Sequence, residues 1–152
     1  MVPDRIEREI VIDAPLEVVW AVVTAPEHVG SWFSDSAELD LRPGGKGMLT
    51  WKEHGSFPLR IEEVDPPHSV AYRWARPAGV EPRAGNSTLV EFTLSEEGER
   101  TRLRVVESGF AGLDEREEEK AKHFQENTHG WEHELDELRE YVSKQVSATS
   151  RR

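Results

Sequence analysis

The period of apolar and polar positions changes twice along this chain. Residues 5–12 read as a strand ending in Ile10-Val-Ile12. Leu16, Val19, Trp20 and Val23 then fall on one face of a helix. Asp13 is placed to cap that helix, with Pro15 in its first turn, where a missing N–H costs nothing. Thr24 and Glu27 have the spacing of a capping box for a second short helix, which ends in Trp32-Phe33. Strand alternation follows. Leu39 and Leu41 fall in a second strand, Met48-Leu-Thr-Trp51 in a third after the turn Pro43-Gly-Gly-Lys-Gly47, and Phe57 to Val64 in a fourth. Val70, Tyr72 and Trp74 alternate with Ala71, Arg73 and Ala75 in a half-buried fifth strand. Residues 76–85 contain Pro77, Gly79, Pro82 and Gly85 and read as a mobile loop, a candidate lid. Val90, Phe92 and Leu94 form one face of a sixth strand. After a hairpin turn at 96–100, Leu103 and Val105 face inward on a seventh, with Arg102 and Arg104 outward.

From Asp114 the period becomes helical, with Asp114 and Glu117 spaced as a capping pair. Phe124, Thr128, Trp131, Leu135, Leu138 and Val142 make one continuous stripe, so the spacing predicts a helix to about Val142. Such a helix has about 28 residues and a length of roughly 42 Å, enough to cross a whole sheet. The run from Glu115 to Lys122 reads as its solvated face. Strands joined by short turns imply an antiparallel sheet, and the amphipathic helix must cover its apolar face. The predicted class is α+β, in one domain over residues 5–144, with 145–152 as a flexible tail. The chain shows no internal repeat.

Composition narrows the function. The 152 residues suit one domain with a sizeable core. The absence of cysteine excludes disulfides, thiol catalysis and Cys–zinc sites. A net charge of −11, with the basic residues scattered, argues against nucleic acid and anionic membranes as partners. No run approaches the roughly 18 apolar residues of a membrane span, and the first residues do not read as a secretory signal. The expected location is cytoplasmic, and the sequon Asn86-Ser-Thr88 is then a chance match.

Ile12-Asp-Ala-Pro-Leu-Glu-Val-Val-Trp20, Thr24-Ala-Pro-Glu-His28 and Trp32-Phe33 resemble the opening of the START-like superfamily. More narrowly, they are similar to bacterial proteins with the activator of Hsp90 ATPase homologue 1-like domain. Val64 to Trp74, Glu107-Ser-Gly-Phe110, and Gly130-Trp131 followed by Leu135 and Leu138 agree in order and spacing, so the resemblance covers about residues 5–142. It implies a helix-grip fold: a curved antiparallel sheet of about seven strands wrapped around a long C-terminal helix, with two short helices after the first strand. It also implies a cavity between sheet and helix. Superfamily members bind lipids, sterols or other apolar ligands, and some act as polyketide cyclases or aromatases.

Strand parity turns Trp51, Leu59, Ile61, Tyr72, Trp74, Phe92, Leu103 and Val105 toward the concave face. Phe110, Phe124, Trp131 and Leu135 close it from the helix side, and Trp32 and Phe33 stand near the mouth. These residues either line a ligand cavity or merely fill a core. Glu107 shares the inward parity of Leu103 and Val105. It could anchor a ligand amine or hydroxyl or act as a general base; otherwise it is a strand-end carboxylate that reaches solvent or pairs with an arginine.

His129-Gly-Trp-Glu-His133 spells the zinc signature of inverted-motif metalloproteases. Gly130 and Trp131 belong to the resemblance, and both histidines lie off the apolar stripe. No metal or cofactor is expected. His54 falls in a turn near the mouth and is a proton-transfer candidate or a solvated loop residue. His28 and His68 read as structural. Pro43–Gly47 lacks the phosphate-loop pattern. No nucleophile elbow or catalytic carboxylate pair stands out. The leading expectation is non-catalytic binding of a small, mainly hydrophobic molecule. The alternatives are a protein-interaction or chaperone-associated module, with an apolar patch around Val29, Trp32 and Phe33, and a cyclase-like or hydrolase-like enzyme. Such a patch would also make a homodimer.

Overall fold

The computed structural model describes residues 2–150, with side chains through residue 146. In chain order it has β1 (Arg5–Ile12), α1 (Leu16–Thr24), α2 (Pro26–Trp32), β2 (Ser36–Leu39), β3 (Lys46–Trp51), β4 (Gly55–Asp65), β5 (Ser69–Ala75), β6 (Ser87–Glu97), β7 (Arg100–Ser108), a 3₁₀ turn (Phe110–Gly112) and α3 (Glu117–Ser150). The seven strands form one antiparallel sheet in the order β1-β7-β6-β5-β4-β3-β2. Every step from β2 to β7 joins neighbours. Only β1 is displaced, to the far side of β7, because α1 and α2 carry the chain across between β1 and β2. This is the α+β helix-grip fold.

Local chemistry sets the element ends, in places differently from the expected caps. Pro15 is the N-cap of α1, in extended backbone, and no side chain caps the helix. Asp13 lies two residues too early; its side chain is 92 % exposed and lies 4.0 Å from Arg100. The Thr24–Glu27 box does not form. Pro26 sits at the first position of α2, which makes Ala25 the cap. Thr24 closes α1 instead, its hydroxyl donating to the Trp20 carbonyl at 2.6 Å. Helix α3 starts at Glu117, so Asp114 precedes it by nearly a full turn. Its backbone N–H instead donates to the Gly85 carbonyl at 2.7 Å, and its carboxylate occupies the space a Cβ at Gly85 would need. Helix α3 also continues past Val142 to Ser150. Val146 extends the stripe by one more step of four, and no glycine or proline lies between Val142 and Ser150.

The register puts the alternating apolar residues on one face. Leu59 lies opposite Trp74, Ile61 opposite Tyr72, Phe92 opposite Val105 and Leu94 opposite Leu103. Glu62 is the extra residue of a bulge in β4, which adds local bend and twist. Trp131, Leu135, Leu138 and Val142 of α3 are buried with these strand residues in one core. α1 and α2 fill the remaining side with Val19, Val22, Val29 and Trp32. The outer face is laced by Arg–carboxylate pairs, including Arg104 with Glu7 and Arg102 with Glu9 and Glu97. Such exposed pairs contribute little stability.

Candidate functional site

The deep end of the cup is packed solid. Leu103, Val105, Phe110, Leu135 and Leu138 are at most 3 % exposed and border neither the void nor the cleft described below. Phe110 does not lie on the helix side; it sits on the 3₁₀ turn, edge-on to His123 and Phe124. Trp32 is not at the mouth: it is buried, with its indole N–H donating to the Val22 carbonyl at 2.8 Å. Together with Leu59, Ile61, Tyr72 and Phe92 it borders a residual void of about 20 Å³. That volume holds at most about one water molecule.

The open space is at the other end. A cleft of about 510 Å³ lies between α3 and the β3–β4–β5 end of the sheet. Of the expected lining residues, Phe33, Trp51, Trp74 and Trp131 border it, joined by Phe57. Their rings form one continuous wall: Phe33 stacks on Trp131 at 5.5 Å, and Trp51 contacts Phe57 edge-on at 5.5 Å. Trp74 stands between them, 6.2 Å from both Trp51 and Trp131. The Trp51 indole N–H donates to the Phe33 carbonyl at 2.9 Å, which locks the sheet wall to the end of α2.

The opposite wall is polar, which the apolar stripe did not predict. His123, Glu126, Asn127, Gly130 and Glu134 line the cleft from α3, with Ala75, Arg76, Pro77 and Ala78 at the rim and His54 at the mouth. Their spacing of three, one, three and four marks a polar stripe beside the core stripe of Phe124, Trp131 and Leu135. That spacing is visible in the sequence, but polar residues on a helix usually face water. Gly130 creates the room: a Cβ built there meets nothing within 4 Å. The rim is tethered, with Gly79 N–H donating to the Ser56 carbonyl at 2.7 Å and Arg76 within 3.4 Å of Glu126.

Glu107 stands behind the aromatic wall, 0 % exposed, opposite Val90 on β6 and Ile6 on β1. The inward parity holds, but the carboxylate neither reaches solvent nor pairs with an arginine. The Trp131 indole N–H donates to Oε1 at 2.8 Å, and the Trp74 indole N–H to Oε2 at 2.8 Å. The Thr88 hydroxyl donates to Oε2 at 2.5 Å, and the Asn127 amide reaches both oxygens at 3.0 and 3.1 Å. Four uncharged donors thus compensate the cost of burying this charge. They also leave it no free hydrogen-bonding position for a ligand. Its role is to orient the two indoles of the wall and to tie β5, β6 and α3 together.

Other polar groups remain unsatisfied. The Tyr72 hydroxyl is buried without a partner, and burial, then the charge of Glu107, holds its pKa well above the ordinary value. Glu134 Oε2 is also buried without a partner. Desolvation, then repulsion by Glu137, raises the Glu134 carboxyl to about 7. His123 Nδ1 lies 3.6 Å from Glu115 Oε1, just beyond hydrogen-bond reach. His129 and His133 do not join a metal site: among the described residues no group of three or more histidine and acidic side chains is arranged to hold a metal. His28 Nδ1 meets the Tyr141 hydroxyl at 2.7 Å, linking α2 to α3.

A curved seven-stranded sheet gripping one long helix, with a cleft beside that helix, defines a START-like protein of the helix-grip class. Residues 13–143 match the family described as activator of Hsp90 ATPase homolog 1-like protein. The chain belongs to that family. Among solved structures it is similar to MLL2253 from Mesorhizobium loti, with 20 % identity and a TM-score of 0.77 over 92 % of this chain and 97 % of that one. It is also similar to CalU16 from Micromonospora echinospora, with 26 % identity and a TM-score of 0.69 over 97 % and 81 % of the two chains. The Aha1 dimer from Colwellia psychrerythraea aligns at 19 % identity and a TM-score of 0.71 over 93 % and 96 %. No curated protein matches the chain. Among the described residues no helix is long and apolar enough to cross a membrane.

Proposed function

We propose that the protein binds a small, mainly apolar molecule in the cleft between α3 and the aromatic wall. The observation that carries this reading is the cleft itself: about 510 Å³ left unfilled beside a continuous surface of Phe33, Trp51, Phe57, Trp74 and Trp131. That volume lies within the usual range for small-molecule sites, as does an apolar lining with a few polar groups. Membership of a START-like family supports a ligand-binding module. The interaction-module alternative expects a filled cavity and an exposed apolar patch, for which Val29, Trp32 and Phe33 are the candidates, and these are 4, 6 and 9 % exposed. A homodimer through that patch has no support from these side chains, although the Colwellia relative is a dimer.

The test is native mass spectrometry of gently purified protein, beside a Gly130→Leu variant that projects a side chain into the open space. A small molecule that co-purifies with the natural chain and is lost from the variant supports the reading. Equal occupancy in both refutes the cleft as the site. The same spectra report monomer or dimer.

A second reading, an enzyme on the same cleft, has one observation in its favour. His123 borders the cleft with Nδ1 3.6 Å from Glu115 Oε1, so a small closing movement would make the carboxylate–histidine hydrogen bond that orients a ring for proton transfer. Conversion of the extracted molecule by the natural chain and not by His123→Ala would establish it.

A further inference from the structure

We infer that the molecule bound in this cleft carries a basic nitrogen, held by Glu134 against the faces of the aromatic wall. This rests on the cleft being a ligand site, and it adds the chemical class of the ligand. Three independent features point the same way. The first is an uncommitted acceptor. Glu134 lines the cleft one turn along α3 from Gly130 and Trp131, and its Oε2 is buried without a hydrogen-bond partner. Burying a carboxylate oxygen unpaired is costly, and a cationic donor removes that cost.

The second feature is the balance of charge around that oxygen. Among the described residues Arg76 is the one side chain of fixed positive charge lining the cleft, and it is already engaged by Glu126. His54 and His123 are the other titratable groups in the lining, and Glu137 lies one turn on along the same helix. An anionic ligand would therefore meet Glu134 with no free fixed cation to offset it.

The third feature is the opposite wall. Trp51, Phe57 and Trp74 are only partly buried and present ring surface to the cleft. Ring faces attract cations and repel anions. A flat apolar body lying on these rings places an attached ammonium group toward α3, where Glu134 stands.

The experiment uses three probes with one ring system: 2-naphthylmethylammonium, 2-naphthylmethanol and 2-naphthoate. Affinities are measured by calorimetry at pH 8, above the value of about 7 at which Glu134 ionises. The expected order is ammonium about tenfold tighter than alcohol, with naphthoate weakest. Glu134→Gln keeps the side-chain volume and should reduce the ammonium's advantage to about threefold or less, with the alcohol unchanged. Glu118→Gln removes an exposed carboxylate far along α3, so it should preserve the advantage and exclude general attraction to the net charge of −11. Equal binding of ammonium and alcohol, or an advantage that survives Glu134→Gln, overturns this inference and leaves the cleft reading standing. If the alcohol binds equally well to Gly130→Leu, or no probe binds at all, the cleft reading itself fails and this one fails with it.

Discussion

Replacing Glu107 by glutamine tests the most constrained point of the structure. The side chain keeps its shape, but one acceptor becomes a donor facing donors. If the new NH₂ takes the Oε1 position, it faces the Trp131 indole, which can only donate, and the Asn127 amide, which accepts only if it flips its Oδ1 inward and gives up its bond to Oε2. If it takes the Oε2 position, the Thr88 hydroxyl can rotate to accept, but the Trp74 indole N–H is orphaned. The second orientation costs less. One orphaned buried donor costs about 1–3 kcal/mol, and loss of the charge weakens the remaining bonds by about another 1 kcal/mol. The gain from no longer burying a charge offsets part of this, so the expected loss is about 2–3 kcal/mol. For a domain of this size that lowers Tm by about 4–12 °C. The assay is thermal and urea unfolding of both proteins, paired with NMR of the indole N–H signals. Two of the five tryptophan signals, those of Trp74 and Trp131, should move. A Glu107→Gln variant within about 0.5 kcal/mol of the natural chain, with all indole signals unshifted, would falsify the donor cage.

Three further outcomes follow from the same geometry. Gly130→Ala should stabilise the protein by about 1 kcal/mol, because it removes a helix-interior glycine where a Cβ has free space; urea unfolding that shows no gain would contradict this. Glu134 holds its proton more tightly folded than unfolded, so its contribution is greatest below the unfolded value of 4.5 and is lost as pH rises through about 7. The Tm gain of Glu134→Gln over the natural chain should therefore grow from pH 5 to pH 8, and a gain that stays flat or shrinks refutes the burial of that carboxyl. Tyr72→Phe removes a buried hydroxyl that has no partner, so melting should show equal or up to about 1 kcal/mol greater stability, and a loss of more than that would reveal a missed hydrogen bond.

Hydrophobic period alone determined the order of elements, the inward faces of β4 to β7 and the stripe of α3. These depend on spacings of two and of three to four residues, which local backbone geometry imposes on any chain. The inward direction of Glu107 was legible for the same reason. The spacings at Asp13 and Thr24 point to helix caps that do not form, because Pro15 and Pro26 set the starting positions and a fixed φ outweighs a favourable side chain. Tertiary structure alone decided which inward residues fill space and which border it. Phe92, Leu103 and Val105 share the parity of Trp74, yet α3 seals the deep end over them and stands off at Gly130. Likewise no spacing links Glu107 to Thr88 and Trp74 on two other strands and to Asn127 and Trp131 on α3. A cavity is the difference between the volume two elements enclose and the side chains that enter it, and that difference exists only once the elements have packed.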